Sequence, residues 1–374
     1  MKIEHFKMER MQSKWENVVA YNLSESGVHP FIFEELMSEE EWKEILKTSL
    51  GYVQSNGTAE LREKISQYYQ GSNIENILVT TGSAEANFLL MWANIEPGDE
   101  VIFMKPNYMQ IWGLMRGFDA HAKSFFLRED LGWNPDLSEI KKLVTKKTKM
   151  IVITNPNNPT GSQLSKEARK TLIELADKTG AWIFSDEVYQ GAEMNGSITP
   201  SFWGEYDRVV VSCGLSKAYG LPGLRTGWMV APEDFIQRIW PYHDYTTISI
   251  TSVSDRLARI ALDLENRKKI LERTRNIIRT NFNVLESWFK KQDGLLTWIP
   301  PKAGAIVFPR YNLNVNSIEL VNRLRESKDV LLVPGEHFEM DHYLRFGFGV
   351  EESYLKRALN LVQEGLDEIR NKKD

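Results

Sequence analysis

The stretch at residues 212–228, S-C-G-L-S-K-A-Y-G-L-P-G-L-R-T-G-W, decides how the rest of the chain is interpreted. It holds one lysine, Lys217, among small residues and glycines, and Arg225 follows eight residues later. Apolar runs flank the stretch on both sides. Such surroundings predict a desolvated lysine with a lowered pKa, whose neutral amine can attack a carbonyl carbon. The guanidinium of Arg225 is a fixed bidentate cation that suits a phosphate.

A lysine for an aldehyde and an arginine for a phosphate are the pair that pyridoxal phosphate requires. The alternative is a buried strand followed by a turn whose lysine reaches solvent along its aliphatic stem. The stretch alone leaves both interpretations open, because short motifs also occur by chance.

The composition is that of an ordinary globular protein of 374 residues, long enough for two domains. The formal net charge is −5 without a basic stripe, which argues against nucleic acid or an anionic membrane as partner. The single cysteine, Cys213, excludes an internal disulfide and a cysteine metal site, and no metal is predicted. It favours the reducing cytoplasm. Residues 1–16 lack the apolar core of a signal peptide, and no apolar run reaches membrane-spanning length.

Short apolar runs alternate with amphipathic segments through the first two thirds of the chain. The runs are predicted strands at residues 77–80, 101–104, 150–153, 182–184 and 209–211. Continuously apolar strands that alternate with helices predict an α/β fold, with a mainly parallel sheet covered by helices on both faces.

Changes of pattern along the chain divide it into three segments. Residues 1–43 are predicted to form an N-terminal arm and part of a small domain, and residues 44–254 the large sheet domain. Residues 255–374 are predicted to form a C-terminal small α+β domain, with a long charged helical stretch to about residue 291, short strands and a closing helix.

Unusual polar residues follow the predicted strands, where parallel sheets bind their ligands. They are Ser83, Tyr108, Asn158, Asp186, Tyr189 and Lys217. Asp186 ends a buried strand, so its carboxylate needs a cation such as a protonated pyridine nitrogen, or else a salt bridge or cap. Tyr189 and Asn158 are candidate donors to the ring oxygen of such a cofactor, and Tyr108 is a candidate for its face. The alternatives are turn and core residues.

A phosphate needs donors besides Arg225. The helix that begins at Ser83-Ala84 offers free amides and the positive end of its dipole, although a plain N-cap explains Ser83 equally well. Ser216 adds a hydroxyl. Arg345, in the apolar strand Y-L-R-F-G-F, is a second isolated arginine; its alternatives are an exposed strand position or a pair with Asp341.

The chain resembles the class I/II aminotransferases, which are pyridoxal-phosphate enzymes of fold type I. The matching motifs occur in that family's order and span nearly the whole chain. They are Tyr52 with Glu60-Leu61-Arg62, Gly82 to Ala86, Pro106-Asn107-Tyr108, Asn155 to Gly161, Asp186 to Tyr189, Ser216-Lys217 with Arg225, and Tyr343 to Gly347. The resemblance implies a large domain with a seven-stranded type of sheet that binds pyridoxal phosphate.

The resemblance also implies a role for each matched residue. Lys217 is implied to form the Schiff base with the cofactor, and Asp186 to pair with its pyridine nitrogen. The other implied cofactor-binding residues are Ser83, Ala84, Tyr108, Asn158, Tyr189, Ser216 and Arg225. Tyr52 is implied to reach the phosphate of a second subunit, which makes a homodimer the expected assembly. Arg345, with Asn158 and the arm residue Ser24, is implied to bind the substrate.

Two positions depart from the family pattern. Gly214 stands where the family commonly has a hydroxyl, three residues before the lysine, so either a phosphate donor is missing or Ser216 replaces it. Ser24 stands in the arm where a glycine is frequent, which leaves substrate choice open.

Three functions compete at this point. The first is amino transfer between an L-amino acid and a 2-oxo acid through a Lys217 Schiff base. The second is another reaction on the same scaffold, such as a lyase reaction, an elimination like that of aminocyclopropane-carboxylate synthase, or oxidative deamination. Fold and cofactor do not separate these two. The third is a cofactor-sensing regulator, which the acidic balance and the short segment before residue 23 disfavour.

Overall fold

Strands and helices alternate along most of the chain in the computed structural model, which describes residues 2–292 and 294–371. The strands are β1 (Tyr21–Asn22), β2 (Ile77–Thr80), β3 (Glu100–Lys105), β4 (His121–Arg128), β5 (Asn134–Pro135), β6 (Thr148–Thr154), β7 (Trp182–Asp186), β8 (Val209–Gly214), β9 (Gly227–Val230), β10 (Leu296–Thr297), β11 (Ile306–Val307), β12 (Arg310–Tyr311), β13 (Val330–Leu331), β14 (Val333–Pro334) and β15 (Leu344–Gly347). The α-helices are α1 (Lys7–Trp15), α2 (Phe33–Leu36), α3 (Glu39–Ile45), α4 (Ala59–Ser66), α5 (Ser83–Asn94), α6 (Gln110–Gly117), α7 (Leu137–Leu143), α8 (Lys166–Thr179), α9 (Glu233–His243), α10 (Ser252–Ala261), α11 (Leu264–Phe289), α12 (Ser317–Lys328) and α13 (Glu352–Asn371). Within the described ranges, no helix has the length and apolar character needed to cross a bilayer.

One sheet of eight strands forms the centre, in the order β2-β9-β8-β7-β6-β3-β4-β5. The pairings that connect β4, β3, β6, β7 and β8 are parallel, whereas β9 is antiparallel to β2 and β8. The predicted α/β fold with a mainly parallel sheet is therefore confirmed. The expected seven strands are one too few, because β5 is a two-residue strand at the edge that pairs antiparallel with β4. A segment that short has no periodicity to detect.

The central strands are mainly apolar because both faces of the sheet are covered. Along β3, Val101 and Phe103 belong to one buried apolar cluster, whereas Ile102 and Met104 belong to the other. Successive side chains of a strand point to opposite faces, so a sheet buried on both sides needs apolar residues at every position. Apart from the buried hydroxyls of Ser185 and Ser212, the polar side chains of β3, β6, β7 and β8 lie at the strand ends.

The N-terminal segment joins the C-terminal third of the chain. β1 pairs in parallel with β13, and β11, β15 and β14 form a three-stranded sheet beside them. The helical stretch predicted as one unit is two helices: α10 ends at Ala261, and Asp263 caps the start of α11 by accepting a hydrogen bond from the amide of Glu265. The division into 1–43, 44–254 and 255–374 stays a prediction.

A close approach of two backbones fixes the beginning of α5 at the edge of the sheet. A Cβ atom added to Gly227 on β9 would lie 2.4 Å from the carbonyl carbon of Gly82 and from the amide nitrogen of Ser83. Both neighbours are backbone atoms and cannot rotate away. A glycine at position 227 is therefore required for α5 to begin where it does.

We predict that Gly227→Ala destabilises the protein, because the added methyl group collides with the backbone at the start of α5. Overpacking of this kind costs about 1–3 kcal/mol. Gly223→Ala is the matched control, since a Cβ there meets nothing within 4 Å. Calorimetric melting should show a lowered Tm for the first variant alone. Equal melting temperatures for both variants would contradict the argument.

Candidate active site

A cavity of about 510 Å³ lies at the edge of the sheet where β3, β6, β7 and β8 end. Ten of the residues singled out from the sequence line it: Ser83, Ala84, Tyr108, Asn158, Asp186, Tyr189, Ser216, Lys217, Arg225 and Arg345. Two others, Ser24 and Tyr52, do not line it. The structure thus gathers on one surface residues that are up to 262 positions apart in sequence, from Ser83 to Arg345.

The loops after neighbouring strands hold one another in place. Asn157, in the loop after β6, donates from Nδ2 to the carbonyl oxygen of Pro106, which follows β3, at 3.1 Å. Its Oδ1 accepts from the hydroxyl of Thr160 at 2.7 Å. Side-chain hydrogen bonds thus hold this irregular loop in place of regular structure. They also join the loop after β6, which carries Asn158, to the loop after β3, which carries Tyr108.

Asp186 has a buried carboxylate without a cation in contact. Its Oδ1 accepts one bond, from the amide of Val188 at 3.1 Å, and no ion pair reaches it from residues 2–292 or 294–371. Burial raises the pKa of Asp186 to about 6, against the lowering effects of that amide and of the charge on Lys217. A carboxylate in this state favours a cationic ligand.

Lys217 does not have the lowered pKa that its sequence surroundings predict. Burial acts in that direction, but Nζ lies 2.6 Å from Oε1 of Glu25, and this carboxylate together with Tyr189 raises the pKa of Lys217 above its ordinary value. Burial likewise disfavours the charge on Glu25, yet Lys217 and the amide of Gly27 hold the pKa of Glu25 at about 2. The prediction was wrong because a counter-ion 192 residues away outweighs desolvation.

Arg345 is a buried guanidinium without a carboxylate partner. Its side chain is 1% exposed, and it donates to Oδ1 of Asn158 at 2.9 Å and to the carbonyl oxygen of Ser24. Nε has no partner in the part of the chain that the structure describes. Asp341, the alternative partner considered from the sequence, accepts instead from the amides of Ser317 and His342. An unpartnered cation in a cavity favours an anionic ligand.

A second group of donors gathers at the beginning of α5. In the described part of the chain, the amides of Ser83 and Ala84 make no hydrogen bond to another residue. Arg225 lies directly over Gly82, because a Cβ added to Gly82 would come within 2.7 Å of its Nη2 atom. Free amides, a helix dipole and a guanidinium together form an anion site. Gly214 faces this site, since an added Cβ would lie 3.7 Å from the amide nitrogen of Ser83.

Two tyrosines complete the walls. The hydroxyl of Tyr189 donates to Oγ of Ser26 at 2.9 Å, and the hydroxyl of Tyr108 donates to Oε1 of Glu9 at 3.0 Å. Burial, reinforced by Glu9, raises the pKa of Tyr108 well above its ordinary value. Both hydroxyls are therefore neutral donors whose partners come from the N-terminal segment.

The two remaining sequence candidates have other surroundings. Ser24 is fully buried, and its hydroxyl donates to Oδ1 of Asn22 at 2.7 Å, so it meets Arg345 only through its carbonyl oxygen. Tyr52 is 86% exposed, on the loop between α3 and α4.

The sequence interpretation missed the acidic residues of the N-terminal segment. Glu9, Glu16 and Glu25 all line the cavity, as do Gln12 and Ser26. A signal was present, because Glu9, Gln12 and Glu16 recur at helical spacing and share a face with the buried Met8. A charged helix face is usually exposed to solvent, so the sequence alone does not indicate that this one lines a cavity.

Comparison with known proteins identifies the family of the chain and its fold. A solved pyridoxal-phosphate-dependent aminotransferase from Streptococcus suis is 33% identical and superimposes with a TM-score of 0.93, covering 100% of both chains. The family model for aminotransferases of class I and II matches residues 20–362, so the chain belongs to this family. It is a pyridoxal-phosphate-dependent enzyme that transfers amino groups between amino acids and 2-oxo acids.

Two curated relatives have different names. Capreomycidine synthase from Streptomyces vinaceus is 29% identical over 92% of this chain and 89% of that protein. An aspartate aminotransferase from Thermotoga maritima is 27% identical over 96% of this chain and 94% of that protein.

The residues of the cavity fit pyridoxal phosphate. Asp186 offers a buried charge for a protonated ring nitrogen, and the free amides of Ser83 and Ala84 with Arg225 offer an anion site. Lys217 lies in the same cavity, and the missing side chain at Gly82 allows Arg225 to approach the start of α5.

We predict that Asp186→Asn lowers turnover by orders of magnitude, because it keeps the shape of the side chain and removes its charge. Breaking a buried charge pair costs about 3–5 kcal/mol. The pKa of Asp186 is about 6, and a bound ring cation would lower it. Below about pH 6, cofactor binding therefore releases a proton from Asp186. The affinity for the cofactor should fall as the pH drops below about 6.

Cofactor titrations at several pH values measure both effects. The Asn variant should lack the part of the pH dependence that comes from Asp186, whereas the exposed control Asp130→Asn should behave like the parent protein. Near-normal turnover in Asp186→Asn would refute an electrostatic role for this residue.

Proposed function

We propose that Lys217, Asp186, Arg225 and Arg345 carry out amino transfer in this chain. The observation that carries the proposal is their meeting in one cavity: a lysine, a carboxylate without a cation, and two arginines without carboxylate partners in the described ranges. Each unmatched charge corresponds to a complementary charge on the cofactor or on an amino-acid substrate.

Bound pyridoxal phosphate would supply an electrophilic aldehyde carbon and an electron-withdrawing ring beside the substrate. Asp186 would hold the positive charge of the ring nitrogen. Tyr108 would pack on the ring, and Asn158 would donate to its oxygen. Tyr189 would donate to the same oxygen in place of its present bond to Oγ of Ser26. For Asn158 the Nδ2 group is the donor, since its Oδ1 is occupied by Arg345. The phosphate would be bound by the amides of Ser83 and Ala84, by Arg225 and by the hydroxyl of Ser216.

Lys217 is proposed as the nucleophile and the carrier of the transferred proton. Its Nζ must lose a proton before it can attack a carbonyl carbon. Glu25 opposes this loss, because it stabilises the ammonium form through the 2.6 Å ion pair. Glu25 therefore controls at which pH Nζ holds its proton.

Arg345 is proposed to bind the α-carboxylate of every substrate. Two parallel hydrogen bonds from a guanidinium to a carboxylate fix orientation as well as position. Orientation matters because the bond that breaks must align with the ring system of the cofactor. The carbonyl oxygen of Ser24 and the side chain of Asn158 hold the guanidinium in place for this task.

The test of the proposed function is a screen of L-amino acids against the purified holoenzyme, with detection of keto acid, ammonia and hydrogen peroxide. We predict keto acid without peroxide, and a return of the cofactor spectrum on addition of a 2-oxo acid. Borohydride should attach the cofactor to Lys217, and Lys217→Ala should abolish turnover. Labelling of another lysine, or of Lys217→Ala itself, would contradict the assignment.

A second candidate is a different reaction at the same cofactor. It is favoured by the name of one relative, capreomycidine synthase, which is not that of an aminotransferase. Ammonia or a cyclised product without keto acid, in the same screen, would establish it in place of amino transfer.

We also propose a homodimer in the cytoplasm; the compartment rests on the single, buried cysteine. The dimer is supported by exposed large side chains that lie close together in the sequence: Leu46, Leu50 and Tyr52 are 67%, 85% and 86% exposed. Large apolar side chains exposed together indicate a protein contact. Tyr52 does not line the cavity of its own chain, which fits a role in that of a partner.

We predict that Tyr52→Ala and Lys217→Ala, both impaired alone, recover activity when mixed under conditions of subunit exchange. One of the two sites in such a hybrid combines an intact Lys217 with an intact Tyr52. Turnover after mixing is the measurement, and a mixture of Lys217→Ala with the parent at matched concentrations is the control. A fully active monomer in sedimentation would contradict a shared site.

A further inference from the structure

One wall of the cavity carries carboxylates that amino transfer itself does not use. Helix α1 and the residue after it place Glu9, Gln12 and Glu16 at intervals of three and four residues, on one helix face. All three line the cavity. We call Glu9 and Glu16 the acidic wall.

The acidic wall has unused capacity to accept hydrogen bonds. Glu9 accepts one bond, from the hydroxyl of Tyr108 at 3.0 Å. The carboxylate of Glu16 makes no hydrogen bond and no ion pair within residues 2–292 and 294–371. The intervening Gln12 is committed, since its Nε2 donates to the carbonyl oxygen of Ser24 at 3.0 Å. A carboxylate offers about four acceptor positions, so most of those on the wall are open.

The cations that line the cavity are already matched. Lys217 pairs with Glu25, while Arg225 and Arg345 face the two anions assigned above. Glu9 and Glu16 are left over as negative charges. Burial raises the pKa of Glu16, and the nearby charges of Glu25 and Glu9 raise it further. A positive charge beside Glu16 would relieve this repulsion.

A separate observation shows where the opposite end of a ligand would bind. Nε of Arg345 is buried and unpartnered in the same cavity, which calls for a carboxylate there. Burial lowers the pKa of Arg345, and the groups that oppose this lowering include Tyr189, Glu25 and Glu9. One cavity therefore offers a cation for a carboxylate and, nearby, two carboxylates for a cation.

We propose that Glu9 and Glu16 bind the positively charged side chain of the substrate, so that this chain acts on L-amino acids with a guanidinium or ammonium group. The proposal rests on the proposed function, because it assumes that Arg345 holds the α-carboxylate. A substrate with a side-chain carboxylate would meet like charges at the wall, and no lining cation of this chain is left for it.

The experiment compares pairs of amino acids that differ in charge and hardly in shape: L-arginine with L-citrulline, and L-lysine with L-norleucine. Spectral changes of the holoenzyme, followed over a range of concentrations, give an apparent Kd and a limiting rate for each. Hydrogen bonds between charged groups contribute about 1.5–3 kcal/mol, so the charged member should bind about tenfold more tightly or better. The pair that shows the larger ratio identifies the preferred cation.

The variants Glu9→Gln and Glu16→Gln test the wall itself. Each should raise the apparent Kd for the charged substrate by about tenfold, leave its limiting rate unchanged, and leave the neutral analogue unaffected. Glu40→Gln, an exposed carboxylate on α3 outside the cavity, is the matched control. A merely structural role would change both members of a pair alike.

Three results separate the possibilities. Equal constants within each pair, or an unchanged preference in both variants, would overturn the cationic substrate class. Reaction with dicarboxylic amino acids alone would overturn it too, while amino transfer would stand. If no amino acid of any class reacts with the holoenzyme, the proposed function fails, and the proposal fails with it.

Discussion

A strand that is buried on both faces carries its charged side chains where it ends, and this constraint places the centre of the cavity. β3, β6, β7 and β8 are parallel, so their carboxyl ends share one edge. Tyr108, Asn158, Asp186 and Lys217 each follow or end one of these strands, and they meet although the chain separates them widely. The chemistry of the site is thus a consequence of how the sheet is covered.

Several charged or polar groups of the site have no partner within the described residues, and each indicates the charge of the ligand group that would bind there. Asp186 lacks a cation, Arg345 lacks an anion, and the amides at the start of α5 lack acceptors. Lys217 is the exception, because Glu25 already neutralises it. Burying such groups without partners costs free energy. A ligand that pairs with them relieves this cost, which adds to its binding free energy. The charges of the cavity are therefore complementary to those of the ligands it would bind.

Most of the large sheet could be predicted from sequence, because apolar runs report directly on buried strands. Ten of the residues that line the cavity could also be named, each because it stands at a strand end or in a family motif. What could not be predicted came from contacts between distant segments. The charge state of Lys217 depends on Glu25, and the break at Asp263 depends on a local cap inside a continuous charged pattern. Helix α1 escaped notice because an acidic face turned toward a cavity has the same pattern as one turned toward water.

The N-terminal segment connects features that the sequence keeps far apart. Through β1 it pairs with β13, and the carbonyl oxygen of Leu23 accepts a hydrogen bond from the amide of Gly347 at 2.7 Å. The carbonyl oxygen of Ser24 accepts from Arg345, and Glu25 forms an ion pair with Lys217. Changes to this segment therefore affect several distant parts of the protein at once. A tag or truncation at the amino end, normally a harmless place to modify a protein, would here disturb the contacts of Arg345 and Lys217 in the cavity. Conversely, exchanging this one short segment between homologues offers a route to altered specificity that leaves the sheet untouched.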